Sequence, residues 1–250
     1  STSADIKTNT SKRAIINNIN GTITNNAAAS KIFEIQGGEN KGTIQGSGNT
    51  TITTGTTTVA AIIQDAIDLS SGGKLVANGD VTVSTGITNA VEEGLELNGG
   101  TLSGDVSGAG SVKTTGTSAI AAGTTVSQSI NVASGSLTAV ADSLGGAVIN
   151  SGTVELTGGT LAQNISGTGA VTISGDVQNN ADIANDITVA GTGGLTSSAD
   201  NISGAVENNG AYNVTGGTIA NAISGNGATS FSGTVALEDG VTIAQTSISN

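Results

Sequence analysis

The 250-residue sequence contains no cysteine, histidine, methionine, tryptophan or proline, and only one tyrosine and two phenylalanines. Without cysteine and histidine, the chain lacks thiolate nucleophiles, imidazole bases and the nitrogen and sulfur ligands that zinc prefers. Aromatic residues and methionine normally fill the irregular gaps of an α/β enzyme core. Their scarcity predicts that the chain is not an enzyme and carries no cofactor.

Basic residues are also scarce, seven against nineteen acidic residues, for a formal net charge of −12. Five of the seven lie within residues 1–41, namely Lys7, Lys12, Arg13, Lys31 and Lys41. A nucleic-acid partner is disfavoured because neutralising phosphates requires a basic face. Two interpretations of the charge asymmetry stay open: a solvated basic arm beside an acidic shaft, or a complementary head and tail that favour end-to-end contact.

No apolar run approaches the roughly 18 residues that a membrane span requires, so no transmembrane segment is expected. The opening STSADIKTNT has neither an initiator methionine nor a signal-peptide core, which is typical of a mature protein or an excised fragment. Residues 1–14 precede the repeats and are predicted to form an N-terminal arm or lead. Residues 15–250 are predicted to form a single domain.

What the sequence does contain is 39 glycines, many Thr, Ser and Asn residues, and a hydrophobic fraction of 36%. The hydrophobic residues are mostly Val, Ile, Leu and Ala, and charged residues make up only 10%. Disordered chains usually show the reverse balance. This composition predicts an all-β chain with a narrow aliphatic core.

A glycine-rich segment, called here the glycine phrase, recurs along the chain. It reads IQGSGNTTITTG from Ile44, VSGAGSVKTTG from Val106, ISGTGAVTISG from Ile165 and ISGNGATSFSG from Ile223. The tripeptide GGT recurs at residues 99–101, 158–160 and 216–218. These spacings define about four modules of roughly 59 residues.

A shorter pattern, hydrophobic–x–Asn/Gln/Gly/Asp–x–hydrophobic, starts at residues 63, 87, 102, 126, 144, 161, 183, 202 and 219. A unit near 20 residues with short alternating strands suits one coil of a parallel β-solenoid, because a single coil cannot bury its inner face alone. We therefore predict a parallel, right-handed β-helix of about twelve coils, three per module. Ile165 and Ile223 are expected at equivalent inward positions, as are Phe33 and Tyr212, and the central Asn and Gln residues at structural corners. The stretch Thr57–Ser71 is predicted as strand–bend–strand rather than helix.

The glycine phrases and the recurring GGT resemble the strand repeats in passenger domains of bacterial autotransporter adhesins. The resemblance covers about residue 35 to the end, although VELTGGT and YNVTGGT lack the N-T-Y element of that repeat. It implies a right-handed β-helix at the bacterial cell surface or outside the cell, serving as an adhesive or structural shaft. It implies no catalytic residues.

Carboxylate groups are the remaining candidates for chemistry, because β-helical enzymes that cut polysaccharides use paired carboxylates. The candidates are Asp65/Asp68, Glu92/Glu93/Glu96 and Asp182/Asp186. Too few aromatic and basic residues are present to line a sugar-binding groove of the kind such enzymes use. The glutamate cluster is therefore expected to be a solvated coil edge, and Ca²⁺ could bind adventitiously at stacked carboxylates.

The sequence thus favours a non-enzymatic extracellular structural or adhesive β-solenoid, either a surface shaft or the subunit of a self-assembling fibre. Its expected partners are a second copy of the chain, end to end, and a host or neighbouring cell surface or matrix. Candidate assembly contacts are Lys7, Lys12, Arg13, Val241, Ile243 and Ile248. The alternatives are an ice-binding solenoid, suggested by TITTGTTT at residues 51–58, and a polysaccharide-active enzyme.

Overall fold

The computed structural model describes residues 4–6, 12–14, 21–26 and 32–250. The chain divides into two compact units, residues 1–131 and residues 132–250. In the described residues the regular structure is almost entirely short β-strands, with two single-turn 3₁₀ helices and no α-helix.

The strands of the first half, in chain order, are β1 (Ala4–Ile6), β2 (Lys12–Ala14), β3 (Ile23–Asn25), β4 (Ile32–Ile35), β5 (Gly38–Gln45), β6 (Asn49–Ile52), β7 (Thr56–Leu69), β8 (Lys74–Ala77), β9 (Val81–Asn89), β10 (Leu95–Leu97), β11 (Gly100–Ser103), β12 (Val106–Ser107), β13 (Ser111–Thr114), β14 (Thr117–Ile120) and β15 (Ser129–Val132). They are followed by β16 (Ser136–Ala139), β17 (Val148–Asn150), β18 (Thr153–Leu156), β19 (Gly159–Leu161), β20 (Ile165–Gly167), β21 (Ala170–Ile173), β22 (Asp176–Asn179), β23 (Ile187–Val189), β24 (Gly194–Ser197), β25 (Val206–Asn208), β26 (Ala211–Val214), β27 (Gly217–Ile219), β28 (Ile223–Ser224), β29 (Ala228–Phe231), β30 (Val235–Leu237) and β31 (Ser247–Ser249). The 3₁₀ turns are Ala141–Ser143 and Ala199–Asn201.

Each unit is a stack of parallel strands in which a strand pairs with the equivalent strand of the next coil. In the second unit, for example, Val154 pairs with Val171, Val171 with Ile187 and Ile187 with Val206. These four side chains are all buried, and they alternate with outward polar residues as a half-buried strand requires. The predicted all-β parallel solenoid of about twelve coils is confirmed.

The segment Thr57–Ser71 is confirmed as extended structure, since β7 covers most of it. The register of β7 against β9 shifts between Gln64 and Ala66, which places an irregularity at Asp65. Ile62 is fully buried while Ile63 is 47% exposed, and after the irregularity Ile67 is buried. In the pattern that starts at Ile63, only the second hydrophobic residue therefore faces inward, because β7 breaks its alternation here, opposite one extra residue of β9.

Four buried polar assemblies tie three successive coils together, and we call each an Asn–Gly–Gln clamp. A clamp consists of an asparagine, the first two glycines of the glycine phrase one coil later, and a glutamine or asparagine one coil further on. The four clamps are Asn25/Gly46/Gly48/Gln64, Asn89/Gly108/Gly110/Gln128, Asn150/Gly167/Gly169/Asn185 and Asn208/Gly225/Gly227/Gln245. Of the central Asn and Gln residues of the recurring pattern, Asn89, Gln128 and Asn185 belong to clamps, whereas Gln163 and Asn221 do not. Their placement at corners stays a prediction.

The fourth clamp shows the bonding pattern. The Asn208 side chain donates to the Gln245 Oε1 at 2.7 Å and to the Ala228 carbonyl at 2.9 Å, and the Gly227 N–H donates to the Asn208 carbonyl at 2.8 Å. The asparagine-to-glutamine bond is 2.9 Å in both clamps of the first unit. Because Asn208 is fully buried, each of these bonds satisfies a group that would otherwise be costly to bury.

The glycine phrases do not stack on one another. We call a set of residues that pair in succession from coil to coil a column. In the second unit one column consists of Val171, Ile187, Val206 and Ile223. It starts on the second strand of the glycine phrase at residue 165 and reaches, three coils later, the first strand of the phrase at residue 223. In the first unit the column Thr50–Ile67–Ile87–Val106 does the same. Three coils take 52 residues from Val171 to Ile223, six fewer than the 58-residue sequence repeat. Each glycine phrase therefore lies one strand further along its coil than the phrase three coils before.

The expectation that Ile165 and Ile223 are equivalent is therefore wrong, although both are buried. Ile165 lies in the column of Val148 and Ile183, which is separate from that of Ile223. Phe33 and Tyr212 share a local pairing, and their equivalence between modules stays a prediction. Phe33 pairs with Thr50 and Tyr212 with Thr229, in each case the threonine of the following glycine phrase, and both aromatic rings are buried.

The third clamp has an asparagine where the other three have glutamine, and this difference leads to a prediction. Asn185 is buried and donates to the Gly169 carbonyl at 2.9 Å, but its Oδ1 has no hydrogen-bond partner. Replacing Asn185 with Gln should let the longer side chain accept from Asn150, raising the free energy of unfolding by about 1 kcal/mol in urea titrations. The reverse change, Gln245→Asn, should lower it by a similar amount. An Asn185→Gln variant that is less stable than the wild type would contradict the prediction.

Candidate functional site

The predicted assembly contacts are placed as follows. Lys7 lies outside the described residues, and Lys12 and Arg13 belong to β2, which pairs in parallel with β4. β1 and β2 lie within the predicted arm, residues 1–14, yet both pair with strands of the stack. Strand pairing therefore does not separate the arm from the domain at residue 15. The division into an arm and one domain stays a prediction.

Of the remaining assembly candidates, Val241 and Ile243 are half-buried, and Ile243 bridges to Ile223 of the preceding coil. Ile248 lies on β31 opposite Thr229 and is 52% exposed. End-to-end association through these residues stays a prediction.

The paired aspartates contact backbone amides. The Asp68 carboxylate accepts from the Ser70 N–H at 2.8 Å, and the Asp186 carboxylate accepts from the Ala205 N–H at 2.9 Å. Asp182 is exposed, and its own N–H donates to the Asn164 side chain at 3.0 Å. These contacts give Asp68 and Asp186 a role in fixing turns between coils.

The GGT tripeptides depend on the same kind of contact. The carboxylates of Asp80, Asp142 and Asp200 accept from the N–H of the GGT threonine in the next coil, at 2.8, 3.2 and 2.9 Å. A Cβ on the second glycine of the tripeptide would overlap the aspartate or the backbone beside it. The tripeptide therefore recurs because each copy packs its second glycine next to an aspartate of the coil before, whose carboxylate accepts from the threonine N–H.

The glutamate cluster is only partly solvated, which corrects the expectation of a solvated coil edge. Glu92 is exposed, but Glu93 and Glu96 lie 3.6 and 3.8 Å from the Lys113 ammonium. Glu93 also accepts from the Asn131 side chain at 2.8 Å. Among the described residues, no group of three or more acidic side chains is arranged to hold a metal ion.

A shallow groove of about 500 Å³ lies along the outer face of the six-stranded sheet β19–β22–β24–β26–β29–β31 in the second unit. One row of its lining, called here the polar row, consists of Thr160, Gln178, Thr196, Asn213, Ser230 and Ser249, in direct register on successive strands. Strand pairing spaces these side chains about 4.8 Å apart. The polar row thus offers an uncharged hydrogen-bonding group at each coil.

The adjacent row of the groove is formed by small residues. Gly194, Ala211 and Ala228 follow one another in register, with the exposed Asp176 carboxylate at one end. Since these side chains are short, the surface is concave beside the polar row. The groove therefore combines a narrow apolar floor with one wall of hydroxyl and carboxamide groups.

Sequence reasoning did not single out the residues of this groove. Period-2 alternation marks each of them as outward-facing, but their alignment across six coils depends on coil lengths that vary between 17 and 19 residues in this sheet. The signal was present in the short strands DVQN, GLTS, AYNV and ATSF, each of which has its polar residue at the third position.

Tyr212 lies on the inner side of the same sheet, and burial raises its pKa to about 12. As the only tyrosine in a chain without tryptophan, it can be followed by absorbance alone. We expect tyrosinate to form with a midpoint near pH 12 rather than 10. The unfolded chain ionises first, so stability should be unchanged below pH 10 and fall by up to about 3 kcal/mol between pH 10 and 12.

The matched control is Tyr212→Phe, which keeps the ring and removes the ionisation. Its stability should fall less between pH 10 and 12 than that of the wild type. A tyrosinate midpoint near 10 in the folded protein would contradict the buried placement.

No helix of the described residues is both long and apolar enough to span a membrane. Comparisons with protein-family models, with curated proteins and with solved structures gave no match to this chain.

Proposed function

We propose that the chain is a non-enzymatic structural and adhesive β-solenoid that acts outside the cell or at a bacterial cell surface. The observation that carries the proposal is the groove of the second unit, whose uncharged polar row crosses six strands in fixed register. Two clamps in the same unit link successive coils through hydrogen bonds of the buried Asn150, Asn185 and Asn208. A rigid stack with a continuous polar groove suits contact with an extended polymer.

The chemistry of the groove favours a neutral polysaccharide as the contacted polymer. Sugar rings have apolar faces and hydroxyl rims, which match the alanine floor and the polar row. Residues 132–250 contain nine acidic residues and no lysine or arginine, so a polyanion would be repelled. A surface location is supported by the resemblance of the glycine phrases to those of autotransporter passenger domains.

Two alternative functions are retained as outcomes of the test. An ice-binding face would need uninterrupted threonine ranks, but the outward row that contains Thr172 and Thr188 has Glu155 and Glu207 on either side of them. A polysaccharide-cutting enzyme would bind the same polymer and release new reducing ends. Thermal hysteresis and reducing-end assays measure these two activities directly.

The proposal predicts that native-gel migration of the protein is slowed by dissolved neutral polysaccharides and not by polyuronates. Ala211→Phe should abolish the retardation, because the ring fills the floor of the groove. The matched control is Ala184→Phe, which changes an exposed alanine of the same unit outside the groove. Equal retardation of both variants, or none of the wild type by any neutral polymer, would contradict the proposal. Antibody labelling of intact source cells tests the location.

A further inference from the structure

Lys113, Glu93 and Asn131 of the first unit form a cluster that joins three coils. The Lys113 ammonium lies 3.6 Å from the Glu93 Oε2, and the Asn131 Nδ2 donates to the Glu93 Oε1 at 2.8 Å. The Glu93 carboxylate thus contacts the Lys113 ammonium through one oxygen and the Asn131 carboxamide nitrogen through the other. Lys113 lies on β13 and Asn131 on β15, and these two strands pair in the same sheet.

The backbone at Glu93 is an independent sign that this arrangement is specified. Glu93 has a φ of 49°, and among the described residues it is the one non-glycine residue with a positive φ. Its N–H donates to the Ser111 hydroxyl at 2.8 Å, and Gly94 closes the turn by donating to the Val91 carbonyl. A glutamate in this conformation is strained, and such strain concentrates at functional sites.

We propose that Lys113 and Asn131 form an intramolecular isopeptide bond, with Glu93 as the proton carrier. Glu93 Oε2 takes a proton from the Lys113 ammonium, and the neutral amine attacks the Asn131 Cγ. The new C–N bond forms as the bond from Cγ to Nδ2 breaks. Glu93 returns this proton to the departing nitrogen, which leaves as ammonia, and accepts the second proton that the attacking nitrogen must lose. The ammonia carries this last proton away as ammonium, and Glu93 is again a carboxylate. No oxidant or co-reactant is required. The departing Asn131 nitrogen lies 2.8 Å from Glu93, within the reach of general acid–base transfer, and the Lys113 nitrogen, at 3.6 Å, has to move roughly 0.4 Å closer.

Glu96 acts as a positioning residue for the amine. Its Oε2 lies 3.8 Å from the Lys113 nitrogen, and its Oε1 accepts from the Thr115 hydroxyl at 2.8 Å. This second carboxylate therefore holds the ammonium beside Glu93. Glu96→Gln should slow bond formation without preventing it, because the carboxamide oxygen can still accept from the Lys113 nitrogen but attracts it less.

The side chains of Lys113 and Glu93 are only 27% and 33% exposed, so water is partly excluded from the cluster. A covalent bond between β13 and β15 would fasten two coils that are otherwise held by hydrogen bonds and by the packing of buried aliphatic side chains such as Val112 and Ile130. This inference goes beyond the proposed function, and neither depends on the other.

The test is the intact mass of the full chain together with fragment spectra of its proteolytic peptides. The wild type should be lighter than its sequence mass by one ammonia molecule, and a branched peptide should join Lys113 to Asn131. Glu93→Gln should have its full sequence mass while keeping the circular dichroism of the wild type. A wild type that remains at its full sequence mass after prolonged incubation at mildly alkaline pH would overturn the proposal.

The rival source of the same mass loss is a succinimide at Asn131, which also releases ammonia. Lys113→Arg keeps the positive charge but cannot form this bond, so it should return to its full sequence mass. Persistence of the loss in Lys113→Arg would assign it to a succinimide and overturn the proposal.

Discussion

Replacing Gly225 with alanine should destabilise the second unit by about 2–5 kcal/mol. Gly225 has a φ of 108°, and a Cβ at this position would overlap the carbonyl group of Asn208. Left-handed backbone costs an L-residue about 1–2 kcal/mol, and forcing atoms into a packed site costs about 1–3 kcal/mol more. The shift would also stretch the bonds from Asn208 to Ala228 and Gln245.

The matched control for this change is Gly240→Ala. Gly240 also has a positive φ, 85°, but nothing lies within 4 Å of a Cβ built on it. This variant should therefore show only the conformational cost, about 1–2 kcal/mol. The free energies of unfolding come from urea titrations followed by the fluorescence of Tyr212. If Gly225→Ala costs no more than Gly240→Ala, the glycine phrase isn't required for the clamp.

The same reasoning explains why the glycine phrase recurs. In each clamp a Cβ on the first glycine would lie only 2.2–2.3 Å from the carbonyl oxygen of the asparagine in the coil before, so no other residue fits there. In each clamp the second glycine donates its N–H to that asparagine's carbonyl, at 2.8–3.0 Å. The phrase is therefore a packing requirement of the backbone and needs no ligand to account for it.

Much of the fold could be predicted from the sequence because its signals are local. Alternation in LEL, VEL and YNV marks inward and outward faces, and coil-length spacing of the aliphatic residues indicates stacked parallel strands. For the same reason β7 was recognised as extended, although its alanines and isoleucines are also compatible with a helix.

The features that escaped prediction depend on contacts between coils of unequal length. Gln128 reaches Asn89 across 39 residues, and nothing in either local sequence identifies the other as its partner. The slip of the glycine phrase by one strand likewise follows from the difference between coil length and module length. The groove could not be predicted because the alignment of its residues depends on the length of every coil in the sheet, and these lengths differ by one or two residues. Glu93 was treated as a solvated side chain because Lys113 and Asn131 are brought to it only by the coil stacking.

The second large effect is expected from Ile165→Asp in the aliphatic interior. Ile165 is 1% exposed, and its column neighbours are Val148 and Ile183. An aspartate there would place a carboxylate among aliphatic side chains without a partner, at a cost of about 4 kcal/mol or more.

The chain offers a matched control for this change in Ile149→Asp. Ile149 lies on β17 next to Val148, but it faces outward and is 53% exposed. The same substitution there should change the free energy of unfolding by less than about 0.5 kcal/mol. The comparison separates the inward and outward faces of one region with one chemical change.

The pH dependence of the Ile165→Asp variant gives a further check on the physical cause. Burial raises the pKa of an introduced carboxyl, so the folded state would hold its proton to higher pH than the unfolded chain. The variant's deficit relative to the wild type should therefore be smallest at acidic pH and grow as pH rises through the usual range of aspartate ionisation. Equal deficits for Ile165→Asp and Ile149→Asp, or a deficit at position 165 that does not change between pH 4 and pH 7, would show that this column isn't the closed aliphatic interior described above.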